Sequence, residues 1–258
     1  MLSSLGFALA AKFLFWVLAL LVFMRIFARE SGAVDPATRQ WLGAVLLGAL
    51  AGSKLVFALT YPSIGAVESD PNDLLFWLAG DSIAGAVLGG RIGIWLAARD
   101  RGRLLADRLV PAAASAIMLL ELGGFYWALR DHTYGIATSM PWAVDFGDGI
   151  GRHPVMLYEA AYLMFALWAD RRLAGARLAA GSRATHFVLG YCSMRVLAGF
   201  LKPPFQAMLL TELIRPQARV YGGVMTGEQW VCVLVVACLL PAWFNSLARM
   251  MQSRRRRG

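Results

Sequence analysis

Cysteine is scarce in this sequence, and its three occurrences, Cys192, Cys232 and Cys238, have neither metal-ligand spacing nor the pattern of a disulfide framework. A zinc–thiolate site and a stapled secreted domain are both excluded, and the three residues read as small core side chains. No stretch has the composition of a soluble second domain, an internal repeat or a low-complexity linker. No cleavable signal peptide is evident either. The first apolar block is too long for one and runs straight into Arg25 and Arg29, so it is expected to be a membrane span. Acidic residues are also in short supply: Asp and Glu number 16 against 25 Lys and Arg, for a formal net charge of +9. A basic excess of this size can signal nucleic acid. Here the arginines cluster in short loops between apolar blocks, the placement that membrane topology demands, and nucleic acid is excluded as a partner.

What the sequence has in abundance is apolar surface. Hydrophobic residues make up 59% of the 258, and mean hydropathy is +0.57, where a soluble domain sits at about half apolar. The excess falls in blocks of about twenty residues, the length a helix needs to cross about 30 Å of hydrocarbon. Seven such blocks, at 5–27, 41–61, 74–98, 105–129, 154–170, 184–201 and 228–248, predict an all-α polytopic membrane protein of seven transmembrane helices, a single membrane-embedded domain over residues 1–258. The loops between them alternate in charge. Odd-numbered loops and the arginine-rich tail hold 16 basic residues, the even-numbered loops five. The odd loops are therefore expected in the cytoplasm, with the N-terminus outside and the C-terminus inside. That leaves the long fourth and sixth loops outside, where Tyr134, Trp142, Phe205 and Tyr221 suit the membrane surface.

Charges inside spans are costly and mark functional sites by default. Lys54, Asp81, Glu121, Glu159 and Arg195 come from five different spans. At about 1.5 Å of rise per residue, all five fall in the middle or outer part of the bundle. Buried charges need partners, so the five predict one polar cavity open to the outer leaflet; the alternative is a set of ion pairs that merely joins helices. Lys12 and Arg91 lack such company and are expected to snorkel or to face a partner helix. Gly43, Gly48 and Gly52 in the second span and Gly85, Gly89, Gly90 and Gly93 in the third favour close helix contact, the spacing of Gly48 and Gly52 letting backbones approach. Near the outer surface, Arg152-His153-Pro154 opens the fifth span with Pro at the first helical position, and Tyr158 and Glu159 follow one turn deeper. Tyr191 and Arg195 stand four apart and share a helix face. A guanidinium beside a phenol in a dry cavity suits a phosphate or a carboxylate. His132 and His153 are the histidines on the outer side, either as proton acceptors or as polar residues of the interface.

These residues also carry a resemblance. Arg152-His153-Pro154-Val155-Met156-Leu157-Tyr158-Glu159-Ala160 resembles the RHPxQLYEA run of the prolipoprotein diacylglyceryl transferase family. Tyr134-Gly135 through Pro141-Trp142-Ala143-Val144 is similar to that family's YGxPTxxPWAV, and Gly190-Tyr191 with Arg195 to its GYxxxRFxxEFFR. Thr226-Gly227-Glu228-Gln229 resembles its SxGQ, and Gly52-Ser53-Lys54, more loosely, its GGR. Order and spacing hold over roughly residues 40–245. The resemblance implies a multi-pass enzyme of the bacterial cytoplasmic (inner) membrane. It implies transfer of the diacylglyceryl group of phosphatidylglycerol to the thiol of a lipobox cysteine, in the signal-peptide region of a lipoprotein precursor. A thioether forms and glycerol phosphate leaves, with no metal or organic cofactor. On this pattern Arg195, Tyr191, His153 and Glu159 are the expected catalytic residues, and Lys54, Asp81, Glu121, Tyr158 and His132 the expected substrate-binding ones.

The chain departs from the pattern at defined positions. The histidine of the family's SFHGG falls at Ala84. In GRxGNFxNGE the arginine falls at Glu121, the first asparagine at Gly124 and the glutamate at Leu129, while the glutamate of the arginine-bearing span falls at Gly199. Two other functions stay open. One is a protein of this fold without that chemistry, binding lipid or lipoprotein or acting on another lipid. The other is a transporter or channel built on the charged cavity, although neither an inverted repeat nor paired broken helices are present.

Overall fold

Long apolar blocks bounded by charged turns leave the backbone one economical option, which is to satisfy its own hydrogen bonds within helices. The computed structural model describes residues 2–31, 36–60, 82–98, 102–131, 135–147, 149–176, 178–202, 220–221 and 225–255. Seven helices occupy most of them: α1 (Leu2–Ser31), α2 (Pro36–Thr60), α3 (Ile83–Ala98), α4 (Gly102–Asp131), α5 (Val155–Ala174), α6 (Ser182–Gly199) and α7 (Gly227–Arg255). The protein is all-α, as expected, and each helix overlies one of the seven apolar blocks. The opening of the third block, residues 74–81, lies outside the described residues.

Helix α1 packs on α4, α2 on α3, α4 on α5, and α6 on α7. One core joins Ala84, Val110, Ala114, Ile117, Leu163 and Tyr191, and a second joins Phe23, Phe27, Leu42, Val45, Ile94 and Leu109. Cys192 and Cys232 are buried and unoxidised within the first core, while Cys238 is exposed. Outside the bundle the surface is apolar. Phe13, Leu47, Leu59, Trp95, Phe165 and Leu197 are each more than half exposed, far more than a soluble monomer tolerates in one surface. The stretch Gln40–Thr60 of α2, 21 residues with hydropathy 2.0, is long and apolar enough to cross a membrane.

The turn between α5 and α6 is sealed by acids. Asp107, early in α4, accepts hydrogen bonds from the backbone N–H of Gly181 (2.7 Å) and Ala184 (2.8 Å), filling the open donors at the start of α6. Gly181 adopts φ +87°, a conformation open to glycine. Arg183 donates from Nε to Asp170 Oδ1 at 2.7 Å, and this pairing holds its guanidinium above the ordinary arginine range. Arg91 reaches the Thr185 hydroxyl of α6 at 3.5 Å, so it faces a partner helix.

Four short strands were not expected. β1 (Val144–Asp145) pairs antiparallel with β2 (Gly151–Arg152), and β3 (Val220–Tyr221) with β4 (Met225–Thr226). Strands of two residues carry no periodicity to read. The β1–β2 turn is built by Asp145, whose Oδ1 accepts from the N–H groups of Gly147 (2.8 Å) and Gly149 (3.0 Å). Pro154 also differs from expectation: it is the residue before the helix, with Val155 the first helical one.

The α2–α3 contact is a meeting of backbones. A Cβ placed on Gly89 would lie 2.0 Å from the Gly48 carbonyl oxygen, and one on Gly52 would lie 2.3 Å from that of Gly85. Gly89→Leu is therefore expected to push the two helices apart and to destabilise the protein by about 3 kcal/mol or more, read as a lower unfolding temperature in detergent. Gly43, with nothing within 4 Å of an added Cβ, is the control. Gly43→Ala should be neutral or stabilise by up to about 1 kcal/mol, and equal losses in the two variants would refute the close-contact account.

Candidate functional site

Polar side chains from four helices, and from residues flanking α3 and α6, meet at the end of the bundle opposite the sealed α5–α6 turn. Glu121 comes late in α4, Glu159 in the second turn of α5, Arg195 in the last turns of α6 and Glu228 in the first turn of α7. Lys202 follows α6, and Ser82 precedes α3. Arg195 Nη1 donates to Glu159 Oε2 at 2.8 Å and to Glu121 Oε1 at 3.4 Å. Its Nη2 donates to both oxygens of Glu228, each at 3.0 Å. Lys202 Nζ donates to the other oxygen of Glu159 at 2.9 Å. Glu159 is fully buried and Glu121 nearly so. Charges this deep are stabilised only by close partners and saturated hydrogen bonds, and the cluster supplies both.

Local structure holds each member. Ser82 caps α3 by accepting from the Gly85 N–H (3.1 Å), takes support from the Ser53 hydroxyl on α2 through its own N–H (3.0 Å), and donates its Oγ–H to Glu228 Oε1 (3.0 Å). Helix α7 opens with a reciprocal capping box. The Thr226 hydroxyl accepts from the Gln229 N–H (3.3 Å), and Gln229 Oε1 accepts from the Thr226 N–H (2.8 Å). Gln229 Nε2 then donates to the Val196 carbonyl on α6 (3.0 Å), which fixes Glu228 against Arg195. Gly199 makes room for this: a Cβ there would sit 2.6 Å from the Gln229 amide.

Tyr191 lies one turn before Arg195, fully buried, its ring stacked on Phe187 at 6.0 Å. Its hydroxyl has no hydrogen-bond partner among the described residues. A buried phenol usually has one, so this hydroxyl is a ready donor to an incoming oxygen. A second polar group sits beside the cluster. Tyr158 Oη accepts from the Trp142 indole N–H at 2.8 Å and meets His153 Nδ1 at 3.1 Å. The loop that carries Trp142 is tied over the end of α6, with the Ile136 N–H donating to the Leu201 carbonyl at 2.9 Å and the His153 N–H to the Ile136 carbonyl at 3.1 Å.

Of the residues singled out from the sequence, Arg195, Glu121 and Glu159 come together, and Tyr191 stands one turn away. Tyr191 and Arg195 stand one turn apart on α6 and no hydrogen bond joins them, the Tyr191 hydroxyl having no partner among the described residues. His153 and Tyr158 pair with each other. Lys54 is half-buried on α2 next to Ser53. Asp81, His132 and the side chain of Lys12 lie outside the described residues. Sequence reasoning missed Glu228, Lys202 and Ser82. Lys202 stands where the motif string GYxxxRFxxEFFR ends in its second arginine, a signal that was available. Glu228 stands at the glycine of SxGQ, a departure that gave no sign of its partner.

The model of the family described as prolipoprotein diacylglyceryl transferase matches residues 4–244. Proteins named phosphatidylglycerol–prolipoprotein diacylglyceryl transferase are similar to this chain. That of Streptomyces griseus is 34% identical over 131 residues, covering 46% of this chain and 38% of the relative. That of Methylobacillus flagellatus is 32% identical over 177 residues, 65% of each. That of Methylibium petroleiphilum is 28% identical over 228 residues, 83% of this chain and 80% of the relative. The matched part of the chain thus spans 38% of the length of the Streptomyces griseus relative and 65% of that of the Methylobacillus flagellatus one.

Glu159 is the acid that both cations share. Glu159→Ala should leave two buried charges short of a partner and destabilise by about 3–5 kcal/mol. Lys202→Ala, which leaves the Arg195–Glu159 pair intact, should have a clearly smaller effect. Thermal unfolding in detergent reads both, and equal effects would show that Glu159 does not hold the cluster together.

Proposed function

This chain belongs to the prolipoprotein diacylglyceryl transferase family, and we propose that it transfers the diacylglyceryl group of phosphatidylglycerol to a cysteine thiol of a lipoprotein precursor. The family is one of membrane proteins. The chain crosses the cytoplasmic membrane seven times as one embedded domain, N-terminus out and C-terminus in. The arginine asymmetry of the loops and the exposed apolar faces of the helices support this topology. The Arg195 cluster then lies toward the outer leaflet, where a secreted precursor and an outer-leaflet lipid can both reach it.

The reaction needs three things of the protein. A thiol must lose its proton to become the nucleophile. The carbon–oxygen bond between the diacylglyceryl group and phosphate must break as the carbon–sulfur bond forms. The glycerol phosphate that leaves must have its new charge met by fixed donors. Arg195 meets that charge, held at its Nη1 side by Glu159 and Glu121. Tyr191 donates its hydroxyl to a headgroup oxygen one turn away, and Lys54 is a further substrate-binding residue, as Asp81 and His132, outside the described residues, are by their place in the sequence. His153 takes the thiol proton at the mouth of the site. Tyr158 holds its ring through Nδ1, which leaves Nε2 as the exchanging nitrogen. The partners are phosphatidylglycerol and the signal-peptide segment of the precursor. The single observation that carries this reading is the buried Tyr191 hydroxyl, unpartnered among the described residues, one turn from a largely buried guanidinium: a donor pair suited to an oxyanion.

A second reading has its own observation. Arg195 is engaged by carboxylates on both terminal nitrogens, and one of them, Glu121, replaces an arginine of the family pattern. A protein that binds phospholipid or lipoprotein without transferring the lipid fits that arrangement.

Incubation of the purified protein with phosphatidylglycerol and a lipobox peptide separates the two. Transfer should appear as a thioether-linked diacylglyceryl peptide by mass spectrometry, and retained lipid without product supports the second reading. Arg195→Ala should lower turnover by at least about 100-fold, the scale of one lost oxyanion donor. Arg195→Lys should restore little of it, because a point charge does not replace a forked donor. Turnover at the native rate in either variant removes Arg195 from the mechanism.

A further inference from the structure

The three carboxylates on Arg195 are not equivalent. Glu159 is fully buried and also holds Lys202, and the Glu121 side chain is 6% exposed; both lie on Nη1. Among the described residues Glu228 alone contacts Nη2, with two contacts of 3.0 Å, and its side chain is 26% exposed, about twice the 12% of Arg195. It is the acid on the open side. It also has an anchor that does not depend on Arg195, the Ser82 hydroxyl at 3.0 Å, and Ser82 is fixed as the cap of α3. The first turn of α7, where it sits, favours negative charge through the helix dipole. A carboxylate that releases Nη2 therefore remains hydrogen-bonded and electrostatically supported where it is. Two anionic oxygens on one guanidinium nitrogen also present the same kind of contact that a phosphate would make there.

We propose that Glu228 is an exchangeable internal counter-ion: it occupies the Nη2 side of Arg195 when no ligand is bound, and gives it up to the phosphodiester of a phospholipid headgroup while keeping its bond to Ser82. The inference rests on the phospholipid reading above and adds to it a residue that sets affinity by competition. Without Glu228 the open nitrogen of a largely buried guanidinium would stand unpaired in the empty site. With it, the Nη2 edge has an anionic partner before ligand arrives, and binding proceeds by trading one anion for another.

The test is titration of the full chain in neutral detergent, read by native mass spectrometry, with phosphatidylglycerol, glycerol 1-phosphate and diacylglycerol as separate probes. Glu228→Gln keeps an acceptor toward Ser82 and removes the competing charge. It should bind phosphatidylglycerol about tenfold more tightly than the native protein, equivalent to about 1.4 kcal/mol, with diacylglycerol binding unchanged. Tightening of phosphatidylglycerol alone assigns the edge to a lipid headgroup, and tightening of glycerol 1-phosphate as well assigns it to phosphate from either source. Glu228→Gly, the residue of the family pattern, should act in the same direction. Unchanged or weaker phosphatidylglycerol binding in folded variants overturns the proposal, as does equal tightening toward diacylglycerol. If both variants fail to fold, Glu228 is structural rather than exchangeable and the proposal is again lost. A native protein that retains no phosphatidylglycerol defeats the functional reading, and the exchange falls with it. A native protein that binds the lipid, with variants that bind no better, defeats the exchange alone.

Discussion

A guanidinium taken out of water must be surrounded by acceptors, and the need to surround Arg195 governs how this bundle is put together. The acceptors come from three other helices. They meet because of a parity rule: in a chain that runs alternately up and down, the late part of an even helix and the early part of an odd one share an end. Glu121 and Arg195 lie late in α4 and α6, while Glu159 and Glu228 lie early in α5 and α7. Ser53, late in α2, and Ser82, just ahead of α3, obey the same rule. One buried cation thus ties α4, α5, α6 and α7 directly, and α2 and α3 through the two serines. Such a cluster is a poor source of stability, since desolvation offsets much of its attraction. Its presence in an otherwise apolar bundle argues for use rather than for support.

The position of the third acid shows how local packing redistributes charge. In the family pattern an acid stands four residues after the span arginine, and here that position is Gly199. The Gln229 amide fills the space a side chain at 199 would need, and it is held there by the Val196 carbonyl and the capping box with Thr226. The acid is delivered instead by Glu228, one residue before Gln229, at the position the pattern gives to glycine. Relative to that pattern acid and glycine have changed places between α6 and α7, and Arg195 receives its carboxylate from α7. The carboxylate now arrives from the mouth of a helix rather than from within one, with a second tether on Ser82.

Much of this was legible in the residues. The helices follow from blocks of apolar sequence, because hydrocarbon length and backbone satisfaction leave few alternatives. Arg195, Glu121 and Glu159 could be grouped from depth alone, since charges so far from water must find one another. Glu228 and Lys202 could not, because both sit at block edges, where a charge has an ordinary explanation as a solvated loop residue. Only three-dimensional packing shows that the ends of α6 and α7 turn those two side chains inward. The β1–β2 hairpin was hidden for a different reason. It is held by one aspartate and two positive-φ glycines rather than by alternating side chains. Spacing puts Tyr191 and Arg195 on one helix face, but that the Tyr191 hydroxyl has no partner among the described residues is a property of packing that no spacing rule encodes.

The two ends of the bundle use acids differently, and the contrast bears on function. At the sealed end two acids are tied to the α5–α6 turn. Asp107 fills backbone donors at the start of α6, and Asp170 pairs with Arg183. Nothing there would be gained by admitting an ion. At the other end three carboxylates share Arg195 and Lys202, one of them at the open edge, and a neutral phenol donor lies beside them with no partner among the described residues. The Asp170–Arg183 contact, by contrast, is a direct side-chain pair at the edge of a turn. An arrangement with more acid than it needs and a donor it does not use is organised around something that comes and goes. The loop bearing Trp142 and His153 is fastened to Leu201, the residue before Lys202, so the His153–Tyr158 pair lies at the same end of the bundle as the guanidinium. In the function proposed above, that rim would bring together a proton acceptor, an oxyanion donor and an exchangeable charge, the three things a transfer from lipid to thiol requires.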